Sequence, residues 1–114
     1  MASLVTVSPG TVLTNAEEVY AFGTSNLSTL QVGINVAAVG GTSPSLQAYL
    51  EVLGTDGVWY PVWKPAAITA ASQVVAGVGP GLTNGAVLSY SARVRLELTG
   101  TTPSFTLSLS VHGR

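Results

Sequence analysis

The chain has 114 residues, enough for one domain with a core of its own. It carries four Lys or Arg, five Asp or Glu, one His and no Cys, for a net charge of −1. Those counts exclude nucleic-acid binding through a basic patch, a basic membrane-surface helix, disulfides and thiolate metal sites.

Apolar and polar residues alternate along much of the chain, the period of a strand with one buried face. Residues 4–7 predict a short β-branched strand, stopped by the turn signal Ser8-Pro9-Gly10, and residues 11–13 predict another. Asn15 is placed to cap a single helical turn through Ala16, Glu17 and Glu18, ahead of a brief strand at Val19-Tyr20-Ala21-Phe22. After a loop at 23–28, a long strand is expected over 30–38, with Leu30, Val32, Ile34 and Val36 on one phase. Residues 40–44 read as the turn into a strand at 46–53, whose apolar phase is Leu46, Ala48, Leu50 and Val52. Gly54-Thr55-Asp56-Gly57 predicts a tight hairpin, since Asp-Gly supplies the positive φ that such a turn needs.

The strand expected at 58–63 sets Trp59 and Trp63 on one face and Val58, Tyr60 and Val62 on the other. Pro61 cannot donate to a ladder, which predicts an edge strand or a bulge. The segment 68–78 is rich in Ala and Val, with a strand expected at 73–78, and 77–85 holds four glycines and reads as a loop. A second long strand is expected over 87–98 and a last one over 105–112.

One six-residue phrase occurs twice. Gly41-Thr42-Ser43-Pro44-Ser45-Leu46 returns as Gly100-Thr101-Thr102-Pro103-Ser104-Phe105, and an alternating run stands on either side of each copy. Two strand–turn–strand units on one plan follow. The predicted fold class is all-β, an antiparallel β-sandwich, Ig-like or jelly-roll-like, with about seven to nine short strands and little or no helix. It is read as a single domain over 1–114, with 1–15 as an N-terminal arm outside the repeated units.

Chemistry is hard to find in this composition. His112, the lone histidine, lies on the polar phase of its strand without a second histidine or any cysteine, so no zinc set is evident. No G-x-S-x-G elbow is present to make a triad of Asp56, His112 and a serine. Glu51 and Glu97 could be drawn as a glycosidase pair, but with Arg93 and Arg95 they read better as solvated residues pairing across strands. Gly77-Val78-Gly79-Pro80-Gly81 lacks the following helix that a phosphate-binding loop opens. No enzyme and no cofactor are predicted.

Charged residues make up 8% of the chain, against roughly 25% in ordinary domains. A neutral exterior fits a surface covered by neighbouring subunits; a polar uncharged monomer is the alternative. No run approaches the ~18 apolar residues of a membrane span. The first four residues lack the basic and apolar regions of a secretory signal, so synthesis in a cytoplasm without export is expected.

The order of elements resembles a known group. An alternating strand leads into Gly41-Thr42-Ser43-Pro44-Ser45-Leu46, then a strand ending Glu51-Val52-Leu53, then Asp56-Gly57-Val58-Trp59. Arg93-Val94-Arg95-Leu96 and the second phrase follow, running on to Val111. Over 30–111 this is similar to the small β-sandwich virion proteins of tailed bacteriophages, head decoration (cement) proteins and modules of tail components. Pro61 and the Ala/Gly-rich stretch 66–85 depart from the pattern. The resemblance implies a non-enzymatic structural protein on the outside of the capsid, commonly a trimer, with the major capsid protein as partner. Candidate contacts are Leu4, Val5 and Val7 in the arm, Trp63, and Val78 and Pro80 in the glycine-rich stretch. A tail- or fibre-associated module of the same architecture is the alternative. A carbohydrate-binding β-sandwich using Trp59 and Trp63 is a further one.

Overall fold

A computed structural model describes residues 2–114. Six strands form: β1 (Ala2–Leu13), β2 (Glu17–Gly23), β3 (Leu30–Leu53), β4 (Trp59–Trp63), β5 (Ser72–Val78) and β6 (Ser91–Gly113). No helix occurs among the described residues.

The two long strands organise everything else. β3 and β6 lie antiparallel along their whole length, from Leu30 opposite Gly113 to Val52 opposite Ala92. Each bends at its middle and passes from one sheet to another. The first half of β3 and the second half of β6 are the centre of one sheet, with β5 beyond β3 and β1 beyond β6. The remaining halves are the centre of the second sheet, with β4 beyond β3 and β2 beyond β6. Two antiparallel four-stranded layers, β1-β6-β3-β5 and β2-β6-β3-β4, make a jelly roll.

The repeated phrase marks the bends, which corrects the sequence reading. Residues 40–44 and 99–103 do not reverse the chain, so the two runs flanking each phrase never pair with each other. Gly41 and Ser43 at φ 101° and 49°, and Gly100 and Thr102 at φ 120° and 45°, rotate each strand locally and let it continue. The two corners interlock. A Cβ on Gly41 would stand 2.6 Å from the Thr102 carbonyl oxygen, and one on Gly100 would stand 2.8 Å from that of Ser43. The duplication extends to topology. β1, β2 and β3 correspond in order to β4, β5 and β6, and each unit lays its first two strands against the long strand of the other.

The inward phases of all four long-strand halves meet in one core. Val32, Ile34, Leu46, Leu50, Val94, Leu96, Phe105 and Leu109 are among its wholly buried members, and Leu13, Phe22, Ile68 and Val78 close its margins. At about 25 cal/mol per Å² of apolar surface removed from water, this double layer needs no staple.

Four further expectations are revised. Residues 2–13 are not a free arm: they pair with β6 as one strand, and the break expected at Ser8-Pro9-Gly10 is a bulge between Val7 and Thr11. Met1, the first residue of that proposed arm, lies outside the described residues. The helical turn at Asn15 is absent, because Ala16 O accepts a 2.8 Å bond from Leu98 N and Glu17 already opposes Glu97 in the sheet. Asn15 Nδ2 instead donates to Glu18 Oε1 at 2.7 Å. The strand expected from residue 87 begins at Ser91; before it, the chain from 79 to 90 is a connection anchored by Gly79 N donating to Asn84 O at 2.9 Å.

The β3–β4 hairpin forms as the Asp-Gly pair predicts, with Gly57 at φ 80° and Gly54 N donating to Val58 O at 2.8 Å. The Tyr60 hydroxyl donates to Asp56 Oδ2, and Val58 N donates to Asp56 Oδ1 at 3.0 Å. These bonds, the phenol's first, hold the Asp56 carboxyl below the usual carboxylate range, and the same bond raises the Tyr60 phenol. A carboxyl whose folded pKa is depressed stabilises the turn above its unfolded pKa, about 4, and loses that contribution as pH falls through the folded value. NMR titration should therefore show Asp56 protonating below the ordinary range, with Tyr60→Phe moving its midpoint upward. An unchanged midpoint in Tyr60→Phe would remove the phenol as the cause.

Candidate functional site

Charge is not spread over this molecule; it collects on the outer face of the β2-β6-β3-β4 sheet. Period two sends Gln47, Tyr49 and Glu51 of β3 outward beside Arg93, Arg95 and Glu97 of β6. The register sets Glu51 opposite Arg93, Tyr49 opposite Arg95 and Gln47 opposite Glu97. On the flanks stand Glu17 of β2, opposite Glu97, and Trp59 of β4, opposite Leu53.

These side chains form one connected row. Arg93 Nε donates to Glu51 Oε1 at 2.7 Å, while its guanidinium lies 4.4 Å from the centre of the Trp59 ring. Arg95 donates to both Glu51 oxygens, at 3.3 and 3.4 Å, and to Glu97 Oε2 at 3.1 Å. Its Nη1 is also 3.5 Å from Glu17 Oε2. The Tyr49 ring is flanked by the Arg95 guanidinium at 4.1 Å and by Lys64 Nζ at 5.5 Å. Gln47 Nε2 donates to Pro65 O at 2.7 Å, tying the chain after β4 to the same face. Three cations, Lys64, Arg93 and Arg95, balance three carboxylates, Glu17, Glu51 and Glu97.

Glu51 is the centre of the row and only 5% exposed, so the solvated role expected for it is corrected. Two guanidiniums and β4 cover it. Burial opposes the charge of Arg95, but the hydrogen bonds and attraction of Glu51 and then Glu97 outweigh it and hold that guanidinium above its ordinary pKa. No buried side-chain polar atom lacks a partner among the described residues. Glu51 and Glu97, considered above as a glycosidase pair, both accept from Arg95, so neither points free into a cleft.

The opposite outer face differs. On the β1-β6-β3-β5 sheet the outward positions are Ser, Thr, Asn, Gln, Gly and Val, with His112 opposite Ser3 and Gln31. A shallow groove of about 420 Å³ crosses it, lined by Gly33, Asn35, Gln73, Val75, Ser108 and Ser110. No group of three His, Cys, Asp or Glu gathers to hold a metal among the described residues.

The six expected contact residues do not share a surface. Leu4, Val5 and Val7 are half-buried against the core, Val78 is wholly buried, and Pro80 is exposed in the connection after β5. Val78 therefore cannot touch a partner. Trp59 and Trp63 also part company. A bulge between Leu50 and Glu51 brings Pro61 opposite Glu51 but Trp63 opposite Leu50, so Trp59 faces out and Trp63 packs toward the core. Pro61 lies at an edge beside a bulge, as its missing amide predicts. Sequence reasoning missed Tyr49, Lys64 and Gln47; their outward phase was readable, but their partners were not.

No family model matches this chain, and no curated protein matches it. Solved structures do. The CBM22-1 xylan-binding domain of Xyn10C from Paenibacillus barcinonensis superposes with a TM-score of 0.54 at 14% identity, over 82% of this chain and 62% of that one. A CBM4 structure gives 0.53 at 13% identity, over 84% and 61%. A chain of Broad Bean Stain Virus gives 0.51 at 12% identity, over 77% and 55%. The chain thus spans about three fifths of the first structures it matches. At these identities the likeness is one of fold: a β-sandwich shared by carbohydrate-binding modules and a virus chain.

Proposed function

We propose that this chain is a non-enzymatic structural protein of a virus particle, seated on the outside of the capsid and bridging its major capsid protein subunits. The observation that carries this reading is the state of the one face rich in aromatics and charge. Its Trp59 and Tyr49 rings are stacked under cations, and its carboxylates are bonded to arginines of the same chain. That face stiffens the sheet. What remains for partners is a broad, nearly chargeless exterior, suited to close packing in a lattice by area burial. The likeness of fold to a virus chain and the resemblance drawn from the doubled phrase support the same reading.

The test is addition of the purified protein to undecorated shells of the virus that encodes it. Saturable co-sedimentation and a higher temperature of shell rupture are expected. Shells that neither bind it nor gain heat resistance, or a protein found only in tails, would replace this reading with another.

A second reading, a carbohydrate-binding module, is favoured by the fold shared with the CBM4 and CBM22-1 structures and by the outward Trp59. Sugar stacking there requires Arg93 to leave the ring. Tryptophan fluorescence during titration with soluble xylan separates the two: no saturable change is expected, and a saturable one abolished by Trp59→Ala establishes the second reading.

A further inference from the structure

Between β5 and β6 the chain crosses the side of the sandwich where β4 is the last strand of one sheet and β5 of the other. One residue fastens that crossing. Asn84 O accepts from Gly79 N at 2.9 Å, beside a bridge to Val78, and Asn84 Nδ2 donates to Val62 O at 2.8 Å. Val78 ends β5 and Val62 lies in β4, so Asn84 clips the two sheets together. Ala86 and Leu88, just beyond it, pack against the core.

The clip is chemically labile. Of the four asparagines, Asn15 precedes Ala16, Asn26 precedes Leu27, Asn35 precedes Val36, and Asn84 alone precedes a glycine. With no side chain beside it, a glycine nitrogen has open access to the amide carbon of the residue before. Gly85 is exposed, and a Cβ built on it would meet nothing nearer than Leu82 O at 3.8 Å. The Asn84 side chain is also turned the right way. Its Oδ1 accepts from Ala86 N at 3.3 Å, which folds the amide back along its own chain toward the intervening Gly85 peptide.

We propose that Asn84 is a site of self-modification, which loses its amide to the Gly85 nitrogen and so releases the connection from β4. Gly85 N bonds to Asn84 Cγ and passes its proton through water to Nδ2; the Cγ–Nδ2 bond breaks and ammonia leaves. The cyclic imide that remains takes up one water. Opening at Cγ gives aspartate at position 84. Opening at the main-chain carbon gives the isoaspartyl form, in which the chain runs on through the former side chain. Nothing is oxidised or reduced, and water is the co-reactant. The Ala86 N–H stays on Oδ1 as negative charge gathers there in the tetrahedral intermediate, and Val62 O stays on the nitrogen that must leave protonated. Either product undoes the clip. A carboxylate has no N–H to offer Val62 O and repels it, and the isoaspartyl form also adds a carbon to the main chain. This proposal does not depend on the virion reading.

Incubation of the full chain in mildly alkaline buffer, followed by isoelectric focusing and peptide mass spectrometry, tests it. A species one charge more negative than the parent should accumulate while the chain stays folded. The change should lie at Asn84, in both aspartyl and isoaspartyl forms. Gly85→Ala, which the open space beside Gly85 accommodates, should abolish that species. Should Gly85→Ala fail to fold, Asn84→Gln keeps an amide on a longer arm that closes the ring poorly, and should abolish it too. Amide exchange over 79–90 should be faster in the modified chain than in the parent, with β3 and β6 still protected. Asn84→Asp should show the same faster exchange from the outset. An Asn84 that survives in the folded chain but not in urea overturns the proposal, because the fold then shields the site. Equal loss at Asn15, Asn26 or Asn35 also overturns it, as does a modified chain whose exchange over 79–90 matches the parent.

Discussion

Gly41→Ala and Gly100→Ala are each expected to remove about 2–4 kcal/mol of folding stability, read as a lowered urea midpoint. Two effects add at each position. The backbone is at φ 101° at Gly41 and 120° at Gly100, where a side chain is strained. A new methyl group would also meet the main chain of the facing corner: Thr101 O, Thr102 O and Pro103 Cα in one case, Thr42 O, Ser43 O and Pro44 Cα in the other. Main-chain atoms cannot swing away as a flexible side chain can. Because both glycines clasp the same pair of corners, the double variant should lose less than the sum of the single ones. Gly33→Ala is the control, since nothing stands within 4 Å of the added carbon and its φ is ordinary. If all three substitutions leave the midpoint where it was, the corners are not what joins the two sheets.

This dependence on the corners explains what was and was not legible in the sequence. Period two revealed the core almost completely: every apolar residue expected on the inner phases of the long strands, from Leu30 to Val111, is buried. It also gave the all-β class and the Asp-Gly hairpin. Alternation states which way a residue points, however, and not which strand lies beside it. The repeated phrase contains the Gly and Pro of an ordinary turn, and only tertiary pairing decides between a reversal and a corner. The same gap hid the row of charges, since Glu51 and Arg93 are 42 residues apart and meet only because β3 and β6 run together. Trp63 was misassigned for a different reason. A bulge at Pro61 shifts the phase by one, and a single shift sends the side chain to the other face. Residues 2–13 looked peripheral because they lie outside the repeated units; β1 nevertheless pairs with β6, and the sheet absorbs its Pro-Gly interruption as a bulge.

Replacing Glu51 alone is the most damaging change expected on the charged face. Glu51→Ala should remove about 2–4 kcal/mol, somewhat less than for a fully dry ion pair because Arg93 and Arg95 retain some contact with water. The loss has two parts. A buried carboxylate that accepts from two guanidiniums disappears, and Arg93 is left without a carboxylate beside Arg95, which keeps Glu97 and Glu17. Raised salt should therefore restore part of the stability of Glu51→Ala while affecting the wild type little. The triple replacement Glu51→Leu, Arg93→Met, Arg95→Met should come closer to wild type than Glu51→Ala, because no buried charge is then stranded and Glu17 and Glu97, which lose Arg95, remain solvated. It should nevertheless alter the face. With Arg93 gone, the Trp59 ring is uncovered, and its fluorescence should become more accessible to a neutral quencher such as acrylamide. If Glu51→Ala is neutral and the triple variant is not, the row is held by packing of the aliphatic stems on Trp59 and Tyr49, and the carboxylate is incidental to it.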